Sequence, residues 1–408
     1  MKDVFLVNYS VRGIKTLDKL VSLSYYKKTI SRNLDTQEYN VKGIYGMNGS
    51  GKSGIVTSVD ILKNLLINSG YLNNPIVQKN LEAIINKKIG ELFIEADYIA
   101  KFANVPMYFR YSVTLSKDIT GKYTISKEQL FFKKATSKND EMMKIFEICN
   151  GEIAFVDTKD DSEFSNLILK KTTNLLSTAS MSALFCEKIL AICVNNETYK
   201  NFLFVSLCVL LIFGKKLHVF MDQSDAHREY LLQKSLKYFD DLEKNNSEIS
   251  SLMRNFIELD KDYDEVIQVS GNLVLKEKYS KFENTIEKLC EFIRIFKTDL
   301  IDIEIEKKED QTIWVCNLIM IYDSYKIHAE FESTGIKKLI RLFAYIKEMV
   351  QGDIVFIDEL DSNLHDVYLC ALLEYLMEYG EGQLCFTTHN VGPMDILKQN
   401  KKSIDFCQ

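Results

Sequence analysis

Apolar and polar positions follow different periods along this chain of 408 residues. Up to about residue 135, short runs such as GELFIEADYI and MYFRYSVTL alternate apolar and polar side chains, which predicts antiparallel strands. Between about residues 160 and 298, apolar residues recur at helical spacing, which predicts helices. Three strand-like runs follow, and the remainder of the chain alternates helix and strand. The pattern therefore predicts an α/β fold with an antiparallel β lobe and a helical insertion.

A glycine-rich segment, GIYGMNGSGKSGIV at residues 43–56, lies between a predicted strand and a predicted helix. It fits the motif G-x-x-x-x-G-K-[ST], in which backbone N–H groups and the positive helix end point at phosphate oxygens. Lys52 would reach the β- and γ-phosphates, and the Ser53 hydroxyl would ligate Mg²⁺. The segment predicts a site for ATP and Mg²⁺. The residues expected to contact the nucleotide are Gly46, Asn48, Gly49, Ser50, Gly51, Lys52, Ser53 and Gly54.

A second motif, GDIVFIDELDSNLH at residues 352–365, supplies the acidic groups that a phosphate loop needs. Four apolar residues predict a buried parallel strand, and Asp358 and Glu359 follow at its carboxyl end, where ligands bind in open α/β sheets. Asp358 is predicted to hold Mg²⁺, and Glu359 to orient or deprotonate the attacking water. The alternative is a structural acidic turn after a core strand.

The segment GQLCFTTHN, residues 382–390, repeats this arrangement of an apolar strand that ends in polar residues. His389 follows the strand, and a histidine there can sense or stabilise the γ-phosphate; the alternative is a loop histidine with a structural role. We therefore predict Lys52, Glu359 and His389 as the catalytic residues.

The phosphate loop and the acidic strand are about three hundred residues apart, much further than in compact GTPases and kinases. Just before the acidic strand, Ser333 and Gly335 stand at the start of a predicted helix. A serine and a glycine at a helix N-terminus form another phosphate-binding end. About fifteen residues of helix span roughly 22 Å, which separates this end from Lys52. We expect it to serve a second nucleotide on a second subunit, with an ordinary helix cap as the alternative.

Composition restricts the classes of function. The net charge of −6 and the isoelectric point of about 5.6 argue against binding nucleic acid by bulk charge alone. None of the nine cysteines forms C-x-x-C, which favours buried thiols in a reducing cytoplasm. The longest apolar run, FLFVSLCVLLIF at residues 202–213, is too short to span a bilayer and predicts a buried helix or strand. We expect a cytoplasmic protein with no membrane partner.

The segments GMNGSGKS, ESTGIKKL, IVFIDELDSNLH and FTTHN, in this order, resemble the motifs of ABC-type ATPases of the SMC and Rad50 kind. The resemblance is closest to the bacterial AAA15/AAA21-like group, which includes the ATPase parts of OLD nucleases and of antiphage systems such as Septu and PARIS. It implies that Gly46 to Ser53 form Walker A, Asp358 and Glu359 Walker B, and Ser333 to Lys337 the signature. It further implies that Asp361 lies in the D-loop and that His389 is the switch histidine.

The resemblance also implies an organisation and a set of partners. Residues 1–160 would be the first part of an ATPase head, 161–298 the helical insertion, and 299–408 the second part of the head. The head would form a homodimer or higher oligomer, head to tail around two ATP molecules, within a bacterial antiphage complex acting on nucleic acid. Only nineteen residues follow His389, so either the chain is truncated or a nuclease effector is a separate protein.

Three other functions fit parts of the sequence. An SMC/Rad50-like DNA repair ATPase would need long coiled-coil arms, for which the middle region is too short. The nucleotide-binding subunit of a transporter would need a Leu-Ser-Gly-Gly-Gln signature, which ESTGI is not. A nucleotide-sensing scaffold with little turnover would keep the same motifs.

Overall fold

The computed structural model describes residues 4–26, 36, 39–102, 105–136, 141–157, 162–172, 174–186, 202–221, 267–310, 313–398 and 403–407. Its strands, in chain order, are β1 (Val4–Arg12), β2 (Val21–Ser24), β3 (Val41–Tyr45), β4 (Glu91–Phe102), β5 (Val105–Lys117), β6 (Tyr123–Lys134), β7 (Met143–Cys149), β8 (Glu152–Val156), β9 (Leu217–Phe220), β10 (Asn272–Leu275), β11 (Leu300–Asp310), β12 (Ile313–Tyr322), β13 (Lys326–His328), β14 (Ile354–Ile357), β15 (Gln383–Thr388) and β16 (Ile404–Phe406). Its helices are α1 (Lys52–Ile67), α2 (Pro75–Ile84), α3 (Ser162–Thr172), α4 (Met181–Leu184), α5 (Phe202–Lys215), α6 (Tyr279–Arg294), α7 (Thr334–Val350), α8 (Asp366–Tyr379) and α9 (Met394–Leu397).

A parallel sheet forms the centre of the fold. Its strands are ordered β16-β3-β15-β14-β9, and every neighbouring pair is parallel. This order brings together strands that are distant in sequence, so that β3 and β16 are neighbours in one sheet. The carboxyl ends of β3, β15 and β14 are therefore adjacent along one edge.

Strand β14 has a hydrophobic core on each face. Ile354 and Phe356 pack in the core that contains α1 and α5, whereas Val355 and Ile357 pack in the core that contains α6, α7 and α8. Successive side chains of a strand point to opposite faces, so a strand covered on both faces is apolar throughout. This explains the unbroken apolar run of the motif.

A seven-stranded antiparallel sheet, ordered β2-β1-β4-β5-β6-β7-β8, shares a core with α1 and α5. The side chain of Gln383, at the start of β15, joins it to the parallel sheet: its Oε1 accepts from Leu6 N at 2.7 Å and its Nε2 donates to Leu6 O at 2.9 Å. A smaller antiparallel sheet, β10-β12-β11 with β13 beside β12, packs with α6 and α7 in the second core.

The structure confirms the α/β fold with an antiparallel lobe. It also shows which secondary structure several segments of the sequence adopt. The helix predicted after the glycine-rich segment is α1, and the apolar run at residues 202–213 lies in the buried helix α5. Strand β9 was not predicted: it falls within the range assigned to the helical insertion but lies at an edge of the parallel sheet. Residues 222–266 of that range lie outside the described residues, so the division into domains stays a prediction. No helix in the described part is long and apolar enough to cross a membrane.

Candidate nucleotide-binding site

The predicted Walker A, Walker B and switch-histidine residues lie at the carboxyl ends of three neighbouring strands. The glycine-rich loop follows β3, His389 follows β15, and Asp358 and Glu359 follow β14. Ligands bind at this edge in open parallel sheets. The fold thus brings together residues that the sequence separates by about three hundred positions.

The glycine-rich loop is held in the tight conformation that its glycines allow. Gly49 and Gly51 have φ angles of 81° and 101°, which residues with a side chain rarely adopt. A Cβ on Gly51 would also lie 2.3 Å from the Leu17 side chain, because the turn after β1 packs against the loop. Thr16 Oγ1 donates to Gly49 O at 3.1 Å, which fixes the loop from the same side.

The other predicted loop residues differ in their exposure. Asn48 is exposed, Gly46 and Ser53 are half-buried, and Gly54 is buried in the first turn of α1. Gly46 must be glycine for a packing reason, since a Cβ there would lie 2.5 Å from Cys407 O. The last described strand therefore supports the loop from beneath.

The Lys52 ammonium lies within the loop and bonds to the loop's own backbone. It donates to Gly46 O at 2.7 Å and to Met47 O at 3.1 Å, and it lies 3.5 Å from His389 Nδ1. Burial lowers the pKa of Lys52, and nearby Cys407, Asp358 and Glu359 partly offset this effect. A cation bound mainly to carbonyl oxygens can transfer to phosphate oxygens, which are stronger acceptors.

Polar atoms around the loop are consistent with a bound ligand. In the described part of the structure, the buried Ser50 Oγ, Tyr45 hydroxyl and Asp361 Oδ1 have no hydrogen-bond partner. Buried polar atoms are normally paired, and each exception needs an explanation. The residues present fit a nucleotide with Mg²⁺, because the Lys52 ammonium, the start of α1 and the Asp358 carboxylate lie at the same strand ends and suit phosphates and a divalent cation.

Asp358 and Glu359 are connected through Thr387 at the end of the adjacent strand. Thr387 Oγ1 donates to Asp358 Oδ1 at 2.5 Å and accepts from Glu359 N at 2.8 Å. Asp358 is buried and Glu359 is exposed. Glu359 also has a φ of 49°, a conformation that costs a non-glycine residue of order 1–3 kcal/mol. Thr387 thus fixes the Asp358 carboxylate and the Glu359 backbone relative to the end of β15.

His389 is exposed, and its backbone is tied to the segment after β14. His389 N donates to Asp361 Oδ2 at 3.3 Å, while its ring lies beside the Lys52 ammonium. The position predicted for the switch histidine is therefore next to the position predicted for the γ-phosphate.

The predicted signature residues lie at the start of α7. Ser333 is exposed and caps α7, its Oγ accepting from Ile336 N at 3.3 Å. Gly335 is half-buried, and a Cβ there would lie 2.7 Å from Asn363 O. The sequence analysis read this glycine as part of a phosphate-binding end; its close approach to Asn363 gives a second, structural reason for a glycine. The assigned roles of all these site residues stay predictions.

A second polar cluster lies at the opposite end of the parallel sheet. Ligand atoms of His218, Glu348 and Asp353 lie within 4.8 Å of one another. The ammonium of Lys216 pairs with the same Asp353 carboxylate, which leaves a poor site for a metal cation. Burial raises the pKa of Glu348 to about 7 and lowers that of His218. We read the cluster as a structural connection between the starts of β9 and β14.

Sequence reasoning missed three side chains that shape the site: Thr387, Lys338 and Cys407. Lys338, on α7, donates to the backbone after β14, and Cys407 Sγ donates to Ser50 O at 3.0 Å. Thr387 carried a partial signal in the sequence, because it is a polar residue at the end of the apolar run of β15. The other two act through contacts across the fold that no local pattern encodes.

Comparison with known proteins gives two similarities. A family model described as "AAA domain, putative AbiEii toxin, Type IV TA system" matches residues 235–395, which is less than half of the chain. The matched range contains the α7 helix, the acidic strand and His389. A search of curated proteins found no match. Among solved structures, "Structure of the recombination mediator protein RecF-ATPrS in RecFOR pathway" is similar with 12% identity and a TM-score of 0.38, over 96% of this chain and 94% of that one. The family match indicates similarity to an AAA-type domain over the part of the chain that contains α7, the acidic strand and His389.

Proposed function

We propose that this protein binds ATP with Mg²⁺ and hydrolyses it between two copies of the chain. The observation that carries the proposal is the convergence of Lys52, the Asp358–Glu359 pair and His389 at three adjacent strand ends. Each of these groups has the chemistry that phosphoryl transfer requires: a cation for the phosphates, a carboxylate for the metal, and a base for water.

The roles of the side chains follow from their surroundings. The amides of the loop and Lys52 hold the phosphates, and Ser53 and Asp358 are the residues that would hold Mg²⁺. Mg²⁺ held by these residues would neutralise negative charge on the phosphates. The exposed carboxylate of Glu359 orients a water and accepts its proton, and the His389 ring supports the transferred phosphoryl group next to Lys52.

The proposed second copy completes the site through its α7 end. Three apolar side chains adjoining the predicted motifs are strongly exposed: Met47 in the loop at 84%, Phe331 before the signature at 73%, and Val391 after His389 at 67%. Covering these side chains with a second copy would remove apolar surface from water, which favours association. A homodimer, head to tail, covers them and brings Ser333 of one copy to the nucleotide of the other.

Ser333→Asp is expected to lower ATP turnover by about 10²-fold while each subunit still binds ATP through its own loop. Aspartate caps a helix as well as serine does, so α7 keeps its stability. Its charge would, however, face the phosphates held by the second copy. Steady-state hydrolysis and binding of a fluorescent ATP analogue measure the two effects. Ser333→Asn, a neutral cap of the same size, is the matched control and should retain most activity.

Mixing the Ser333→Asp chain with a Lys52→Ala chain tests the proposed dimer directly. A mixed dimer contains one site with an intact loop and an intact signature, so activity should recover in part after subunit exchange. No recovery in a mixture that demonstrably exchanges subunits would mean that Ser333 acts within its own chain, contrary to the proposal.

The biological role that fits best is that of a regulatory or sensor ATPase in a bacterial antiphage complex in the cytoplasm. The description of the matched family, which names a toxin and a Type IV TA system, supports a setting in which an effector is controlled. We propose that a separate nuclease partner supplies phosphodiester cleavage, for which this sequence shows no HNH spacing and no paired histidines. ATP-bound and ATP-free dimers then differ in their affinity for this partner and for nucleic acid.

The purified chain alone is expected to leave DNA intact, whereas a complex purified from the native operon should cleave it in an ATP-dependent way. The measurement is co-purification followed by a cleavage assay with and without ATP. Metal-dependent cleavage by the isolated chain would contradict the separate effector. A complex with no nuclease that repairs or joins DNA would instead favour the SMC/Rad50-like repair function, and negligible ATP turnover would favour the nucleotide-sensing scaffold.

A further inference from the structure

Lys338 connects the α7 helix to the segment that carries the proposed catalytic base. Its side chain is 2% exposed, and its ammonium donates to Glu359 O at 2.6 Å, to Ser362 O at 2.8 Å and to Ser362 Oγ at 2.5 Å. A buried ammonium is costly unless its donors are paired. These three bonds all go to the turn that follows β14.

The turn after β14 has a conformation that depends on outside support. Glu359 and Asn363 have φ angles of 49° and 61°, in the left-handed region that non-glycine residues rarely adopt. Within the turn, Ser362 N donates to Glu359 O at 3.0 Å, the same oxygen that accepts from Lys338. Strained backbone persists where its surroundings over-determine it.

The same turn contacts α7 at a second point. The backbone of Gly335 approaches Asn363 O so closely that a Cβ would lie 2.7 Å from it. Ser333 and Lys338 are five residues apart on one helix, roughly 7.5 Å along its axis. Because a helix moves as a rigid body over such a distance, displacement of the Ser333 end changes the bonds that Lys338 makes to Glu359 and Ser362.

We infer that Lys338 is a positioning residue that holds Glu359 in place and couples it to the engagement of the Ser333 end. This inference rests on the proposed function, in which that end meets the nucleotide of a second copy. The helix then has two roles. Its N-terminus contacts the nucleotide bound by the second copy, and Lys338 positions Glu359, which acts on the nucleotide bound by its own chain. Both sites of the dimer are thereby made dependent on each other.

The test compares Lys338→Met with Ser362→Ala and with Lys347→Met, a control of the same substitution nearer the end of α7. Lys338→Met should lower kcat by about 10- to 100-fold, since small misplacements of catalytic groups have effects of this size. KM and the affinity for a fluorescent ATP analogue should change less than about twofold, because the loop around Lys52 is untouched. Ser362→Ala removes one acceptor and should act in the same direction, more weakly; Lys347→Met should behave as wild type.

Two further readouts separate coupling from loss of fold. In the double variant Lys338→Met/Ser362→Ala the effects on kcat should be less than additive, because both changes break one network. Amide exchange at residues 359–364 without nucleotide should be faster in Lys338→Met than in wild type. Additive effects, or a parallel loss of nucleotide affinity and kcat, would overturn the inference. A wild-type chain without ATP turnover would contradict the proposed function instead, and unchanged exchange at 359–364 would then overturn the role of Lys338 by itself.

Discussion

Replacement of Lys52 by alanine is expected to abolish measurable ATP hydrolysis, with a loss in kcat of at least about 10² to 10³, the usual cost of removing one preorganised charge-stabilising group. Lys52 is the cation that lies within the loop, where its ammonium bonds to two loop carbonyls. When phosphates enter, the ammonium exchanges these neutral acceptors for charged ones. Alanine offers the phosphates no replacement, and water is a poor substitute for a fixed charge.

Nucleotide binding should weaken together with turnover, because the same charge acts on bound ATP. Saturating ATP raises the stability of a binding protein by RT ln(1 + [ATP]/Kd), about 2.7 kcal/mol at one hundred times Kd. The thermal shift of wild type with ATP and Mg²⁺ should therefore be lost in Lys52→Ala, whereas the melting temperature without nucleotide should change little.

The matched control is Lys79→Ala, which removes an exposed lysine from α2 in the same part of the fold. This variant should keep both turnover and the thermal shift. Wild-type hydrolysis in Lys52→Ala would show that the glycine-rich loop is not the active one. Equal losses in both lysine variants would point to net charge rather than to the loop.

The parts of the fold that could be predicted from the sequence are those with a strong local period or a rigid motif. The helix after the loop was predictable because Ile55, Val59, Leu62 and Leu66 form one buried face, and all four are fully buried. Strand β14 was predictable because both of its faces are covered, which leaves an unbroken apolar run.

Strand β9 could not be predicted in the same way. Its four residues, LHVF, begin one residue after the apolar helix α5 and include His218, so neither length nor alternation separates the strand from the helix. Its place in the sheet is set by pairing with β14, more than a hundred residues later. Local pattern carries no information about such a pairing.

In the candidate site, too, local motifs could be predicted from the sequence, whereas contacts between distant segments could not. The motif spacing placed Lys52, Asp358 and His389 at one edge of a sheet, because parallel strands that end in polar residues share that edge. The bonds of Thr387 to Asp358 and Glu359 cross 29 and 28 positions in sequence, and those of Lys338 cross 21 and 24. The left-handed conformation of Glu359 depends on these contacts, so it follows from the fold and not from the residue.

Glu359→Gln is expected to bind ATP normally and to hydrolyse it about 10² to 10⁴ times more slowly, the range for loss of a general base. The amide has nearly the shape of the carboxylate, and the contacts that hold this residue use its backbone: its N–H donates to Thr387 Oγ1, and its carbonyl accepts from Lys338. The substitution therefore removes the negative charge and the proton acceptor and leaves the turn in place.

Slow ATP hydrolysis in Glu359→Gln should also change the oligomeric state of the protein. If ATP joins two copies and hydrolysis separates them, Glu359→Gln with ATP should accumulate as a stable dimer, while wild type returns to its ATP-free state. Light scattering with ATP, with ADP and without nucleotide measures this difference. The accumulation should require Ser333 as well, because the proposed interface includes the α7 end.

Glu374→Gln, the same change at an exposed position on α8, is the control and should hydrolyse ATP at the wild-type rate. Both variants lose one negative charge, so a difference in their turnover reflects the position of the Glu359 carboxylate. Normal turnover in Glu359→Gln would remove this residue from the mechanism and would leave the neighbouring Asp358 as the acid to examine. Slow turnover combined with weak ATP binding would instead indicate that Glu359 holds the metal–nucleotide complex, because a group needed only in the transition state lowers kcat without lowering ground-state affinity.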